Sequence, residues 1–136
     1  MSKPPLGAIE PEGWARPSGY ANGIAARGRV VAIAGQIGWD PASCNFQSDD
    51  LVEQTRQALA NVVAVLRAAG GEPRHLVRLT WYLTDKAAYI ENRRAIGAVY
   101  RELIGPHYPA MSLVVVAALL EDRARVEIEA TAVIPD

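Results

Sequence analysis

Apolar and polar positions alternate along this chain in ways that separate strands from helices. Residues 29–37 (RVVAIAGQI) are short and rich in Val and Ile, as a buried strand requires. Residues 75–83 (HLVRLTWYL) set Val77, Leu79, Trp81 and Leu83 against Arg78, Thr80 and Tyr82, the period of a half-buried strand. Residues 111–118 (MSLVVVAA) read as a nearly continuous apolar strand. In 125–134, Val126, Ile128, Ala130, Ala132 and Ile134 alternate with Glu127, Glu129, Thr131 and Val133. A further short strand is expected over 20–25.

Two stretches carry helical spacing instead. Leu51, Thr55, Ala58, Val62, Leu66 and Ala69 recur at steps of three or four. Asp49 and Asp50 precede them as caps, Glu53 completes a spacing like a capping box, and Gly70-Gly71 supplies a left-handed stop. A second helix, capped by Asp85 and running to about Leu103, places Tyr89, Asn92, Ile96, Val99 and Leu103 on one face. Arg93, Arg94 and Arg101 project elsewhere. Pro4, Pro5, Pro11 and Pro17 make residues 1–19 an extended arm without a regular element, and 38–48 reads as a loop.

The resulting order is strand, strand, helix, strand, helix, strand, strand. It predicts an α+β fold with two helices on one face of a mixed sheet. The opposite face has no cover within the chain. Residues of the 111–118 run would leave an apolar patch there, so self-association is expected.

A length of 136 residues suits one domain spanning 1–136. Half the residues are hydrophobic and 21% are charged, which is too apolar for a disordered chain. The formal net charge of -1, with Lys and Arg scattered, gives no electrostatic ground for a nucleic-acid or membrane-surface partner. There is no apolar run of about 18 residues and no apolar leader-like stretch in 1–11, so a cytoplasmic location is expected. Cys44 is the sole cysteine and excludes an internal disulfide framework.

Candidate chemistry narrows by elimination. His75 and His107 are far apart and begin no metal-binding spacing, so no metal is expected. A G-x-S-x-G elbow and phosphate-binding glycine loops are also missing. What remains is an acid-base or binding site built from scattered residues. Glu127, on a strand facing a subunit interface, can act as an acid or base; a solvated outward face accounts for the same alternation. Asn92 is either a site amide or a buried amide bonded to backbone. His107, before Tyr108 and Pro109, is either a pocket gate or an ordinary loop residue.

Across 19–133 these residues resemble the RidA/YjgF family of reactive-intermediate deaminases. The matching pieces are Gly19-Tyr20-Ala21-Asn22-Gly23, Ala34-Gly35-Gln36-Ile37 with Asp40-Pro41, Gln54-Thr55 and Ala58-Leu59-Ala60-Asn61-Val62. Leu83-Thr84-Asp85, Asn92, Pro109-Ala110 and Val126-Glu127-Ile128-Glu129-Ala130 follow in the family's order. The resemblance implies a chorismate-mutase-like fold with a sheet of about six strands, assembled as a homotrimer with sites in the clefts between subunits. It also implies hydrolysis of enamines and imines to carbonyl compounds and ammonia without a cofactor.

Carried over by position, Glu127 is the catalytic residue that positions or activates water. Tyr20 lines the cleft, Gly35 offers backbone to the substrate, Asn92 braces the site, and Ser112 matches the family's serine. Met111 departs from the pattern: the family's arginine at this point grips the substrate carboxylate, and Met supplies neither charge nor planar donors. Leu113 replaces a frequent cysteine. With Trp39 nearby in sequence, these changes point to a bulkier, less charged substrate. A non-catalytic small-molecule-binding or regulatory role on the same fold is the alternative expectation.

Overall fold

The protein is described here by a computed structural model covering residues 6–136. A hairpin pairs β1 (Leu6–Ile9) with β2 (Gly23–Ala26). The main sheet contains β3 (Arg29–Ile37), β6 (Leu76–Leu83), β7 (Ala110–Val115) and β8 (Val126–Ile134). Between β3 and β6 lie a small hairpin, β4 (Trp39–Asp40) with β5 (Asn45–Phe46), and helix α1 (Leu51–Ala68). Helices α2 (Lys86–Glu91) and α3 (Arg93–Leu103) separate β6 from β7.

Strand order in the main sheet is β3-β8-β6-β7, antiparallel except for the parallel β6–β7 pair. The β1–β2 hairpin is tied to it where Ala21 forms a parallel bridge with Ala110 and donates its amide to the Pro109 carbonyl. This is the expected α+β architecture. The strand near 20–25 begins later than expected, at Gly23. Leu6–Ile9 forms a strand inside the stretch expected to hold no regular element, because β2 supplies backbone partners that proline spacing cannot reveal. Residues 1–5 of that arm lie outside the described residues.

Helix α1 behaves as its sequence dictates. The Asp50 carboxylate caps it by accepting from the Glu53 amide, and Leu51, Ala58, Leu59, Val62 and Leu66 are buried against the sheet. They form one core with Ile33 of β3 and with Leu79, Trp81, Leu83, Val126, Ile128 and Ala130, the apolar registers of β6 and β8. The second helix is not continuous. Asn92 has φ -105° and ψ 11°, ending α2 and beginning α3, and its Nδ2 donates to the Ala88 carbonyl. Here a side chain competes with the helix backbone, an effect that periodicity does not register.

Two polar side chains of α1 tie it to its neighbours, Asn61 to the end of β3 and Gln54 to the loop before α1 and the segment leading into β8. Asn61 donates to the carbonyls of Ile37 (3.3 Å) and Trp39 (3.0 Å). Gln54, almost wholly buried, donates to the carbonyls of Ser48 (3.1 Å) and Arg123 (2.9 Å) and accepts from the Arg125 amide (2.8 Å). Gly38 must be glycine for this packing, since a Cβ there would lie 2.6 Å from the Gln54 Cα.

The face of the sheet away from the helices carries Thr80, Tyr82, Glu127, Glu129 and Thr131 by register, with Ser112 and Val114 from β7. It is therefore more polar than the sequence led us to expect, because β7 stops at Val115 and only alternate residues point this way. Exposed apolar surface gathers instead on the edge strand, at Leu113, Val114 and Val115.

Replacing Gln54 by Leu would strand buried carbonyl and amide partners, and should destabilise the protein by roughly 2–5 kcal/mol. A lower urea midpoint with an unchanged slope checks this. His75 supplies a pH test. Burial first, and the Arg74 guanidinium second, hold its imidazole below the usual value of 6.5, and its Nδ1 accepts from the Glu72 amide. The unfolded chain therefore takes up this proton at higher pH than the fold does, so stability should fall as pH drops through about 6.5. His75→Gln should flatten that part of a stability-against-pH curve.

Candidate active site

A cleft of about 470 Å³ opens between the edge strand β7, helix α3 and the segment before β2. Tyr20, Met111 and Leu113 of the expected site residues line it. Leu79 and Trp81 lie beside Met111 and Leu113 in register, so this cleft is on the helix-bearing side of the sheet. Much of its wall is aromatic. Tyr100 and Tyr108 stack at 5.3 Å, Trp81 lies 6.5 Å from Tyr100, and Tyr89 closes another side.

That wall is braced by hydrogen bonds. The Tyr100 hydroxyl donates to the His107 carbonyl at 2.6 Å, and His107 Nε2 donates to the Leu76 carbonyl at 2.7 Å. Burial drives the Tyr100 phenol well above its usual range, so it stays a donor at ordinary pH. His107 thus holds the loop before β7 against the start of β6, which is a bracing contact.

A second group of expected site residues lies on the other side of the sheet. The β3–β8 register slips by one residue between Ile33 and Gln36, a bulge that contains Gly35. The Glu127 side chain occupies the space a larger residue at 35 would fill: a Cβ there would stand 2.7 Å from the Glu127 Cδ. Glu129, the next acid on this face, accepts a 2.6 Å hydrogen bond from Tyr82, which raises the Tyr82 phenol above its ordinary value. Among the described residues the Glu127 carboxylate has no hydrogen-bond or ion-pair partner, which distinguishes it from Glu129.

The remaining candidates lie apart from both groups. Ser112 is exposed opposite Thr80 on the face of Glu127. Trp39 packs its ring against Phe46 at 6.0 Å and does not line the cleft. Asn92 sits at the α2–α3 junction between two cleft-lining residues, Tyr89 and Arg93, with its amide turned back to Ala88.

Arg93 and Arg101 also line the cleft, although helical periodicity assigned them to a face pointing elsewhere. The overlooked signal is Arg93-Gly97-Arg101, a stripe of four-residue steps with glycine in mid-helix. No carboxylate lines this cleft.

Comparison with known proteins gives one consistent answer. The family described as Endoribonuclease L-PSP matches residues 14–134. A goat protein named 2-iminobutanoate/2-iminopropanoate deaminase is 39% identical over 105 residues, 77% of this chain and 73% of its own. A RutC family protein of Pyrococcus horikoshii is 37% identical over 83% of this chain and 85% of its own. The Yersinia pestis Rid-family protein YyfB has 35% identity and a TM-score of 0.82, with 96% of this chain and 99% of that one covered. Escherichia coli TdcF, solved with bound serine, has 32% identity and a TM-score of 0.67, with 93% and 98% covered. In sequence, in the order of its strands and helices, and in the shape of its fold, the chain belongs to the RidA/YjgF family.

Proposed function

We propose that this protein hydrolyses a reactive enamine or imine to a carbonyl compound and ammonia, without a cofactor, in a cleft completed by a neighbouring copy of the chain. The observation that carries this reading is the division of the site residues between opposite faces of one sheet. Gly35 and Glu127 occupy one face, while Tyr20, Met111 and Leu113 occupy the other beside an edge strand. Within one copy they cannot surround a small molecule. Between copies, the exposed Leu113–Val115 edge of one subunit can bring its cleft against the Glu127 face of another, burying both. A homotrimer, as the family resemblance implies, closes such a contact by symmetry.

The chemistry follows from Glu127. Its carboxylate accepts a proton from water as the water oxygen bonds to the imine carbon and the C=N π pair moves to nitrogen. With the imine nitrogen protonated, this gives a neutral carbinolamine; Glu127 returns the proton to nitrogen and then takes the hydroxyl proton as the C–N bond breaks, releasing ammonia and leaving C=O. Gly35 keeps the carboxylate in place by leaving room for it. Relatives named as 2-iminobutanoate/2-iminopropanoate deaminases support the reaction class. Met111 supports a substrate other than theirs, because the position offers no guanidinium to a small imino acid. The net charge of -1 favours a small molecule over a nucleic acid as partner, and no helix among the described residues is long and apolar enough to cross a membrane.

Sedimentation equilibrium should return the mass of three chains. Glu127→Gln should lower kcat for imine hydrolysis at least about a hundredfold with assembly unchanged. Gly35→Ala should approach the same loss, since its Cβ displaces the carboxylate. Ammonia release from 2-iminopropanoate formed in situ should be weak in the wild type and rise about ten- to a hundredfold in Met111→Arg, the gain expected from one charge-assisted grip. Ligand-induced stabilisation of the wild type with no ammonia from any imine would instead identify a binding protein.

A further inference from the structure

Arg93 and Arg101 face a cleft in which no acidic residue balances them. Both are exposed, and neither forms an ion pair among the described residues. Arg93, Gly97 and Arg101 share one stripe of α3, about 12 Å from first to last along the axis. Side chains on a helix lean toward its N-terminus, so Arg101 reaches back over the preceding turn. Its guanidinium lies over Gly97: a Cβ at 97 would stand in ordinary van der Waals contact, 3.5 Å, with Arg101 Nη1. A glycine in mid-helix is unfavourable, and here the space it leaves is bordered by a guanidinium directed along the stripe toward Arg93.

A second observation comes from the floor of the cleft. Trp81 is 3% exposed and lines it, and its Nε1 is the only buried side-chain polar atom among the described residues without a hydrogen-bond partner. A donor without a partner in the same lining as two cations suits an acceptor that bears negative charge. The remaining wall, with Tyr20, Tyr89, Tyr108 and Met111, is aromatic and apolar.

From this arrangement we infer that the cleft binds a carboxylate with an aromatic side chain, gripped by Arg93 and Arg101 of α3 in place of a cation at position 111. The inference rests on the deaminase reading for its consequence, that the substrate is an aromatic 2-imino acid. It corrects the expectation of a less charged substrate: the charge recognition has moved from the strand to the helix. The carboxylate then lies farther from β7, and the space beside Met111 and Leu113 receives the apolar body.

The test uses two stable probes of nearly equal shape, 3-phenylpropanoate and 3-phenylpropanamide, titrated by calorimetry into the full-length assembled protein. The acid should bind at least about tenfold more tightly than the amide. Arg93→Gln and Arg101→Gln should each remove most of that preference, while Arg94→Gln, on the same helix but outside the cleft, should leave it intact. Amide affinity should stay constant in all three, which also reports that the variants are folded. Equal binding of acid and amide, no binding of the acid, or an equal loss in Arg94→Gln would overturn the inference. Turnover of the imine of phenylalanine, generated in situ, separates the two readings. Acid preference without ammonia release sinks the deaminase alone, whereas release with a KM unaltered by Arg93→Gln and Arg101→Gln sinks the helix grip alone.

Discussion

The contact between Gly38 and Gln54 is the constraint on which the remainder of the structure depends. Strand β3 can lie directly on α1 only because residue 38 has no side chain. Gln54 then uses its whole amide, bonding to Ser48, Arg123 and Arg125, and so joins the loop before α1 to the start of β8. Gly35 is three residues upstream of this knot along β3, and Glu127 is two residues beyond Arg125 along β8. The Glu127 carboxylate thus projects from a strand whose start is anchored by a buried amide. Buried polar groups carry such influence because leaving one unpaired costs more than a typical hydrogen bond contributes.

The sheet itself divides the work. Its helix-facing registers are apolar and closed by α1, whereas its other face combines Thr, Tyr and Glu side chains in the same strands. A single alternation of side chains generates both, so one pattern supplies a core and a polar surface. The bulge at Gly35 locally breaks this alternation. It does so beside Glu127, where a regular ladder with an ordinary side chain would have crowded the carboxylate.

The cleft depends on the break at Asn92. Asn92 ends α2 and begins α3, and residues on both sides of it, Tyr89 and Arg93, line the cleft with Trp81 and Met111. Arg93 and Arg101, on the solvent side by periodicity, are lining residues too. The aromatic wall opposite is held by the Tyr100 and His107 hydrogen bonds rather than by packing alone.

By itself the sequence determined the long elements, the α+β class and the family. Each follows from local or ordered features: the 3.6-residue period and caps of α1, the alternation of β6 and β8, and motifs in a fixed order along one chain. It also singled out Glu127 and Gly35, which a motif can carry because both lie in the resemblance. Only the tertiary structure decided that Glu127 and Met111 point to opposite faces, that His107 braces a loop, and that Arg93 and Arg101 look into a cleft. Those facts depend on strand register, on a one-residue bulge and on how α3 packs beside the sheet. Such quantities are set by contacts between residues far apart in the chain, and no pattern of neighbours along the sequence contains them.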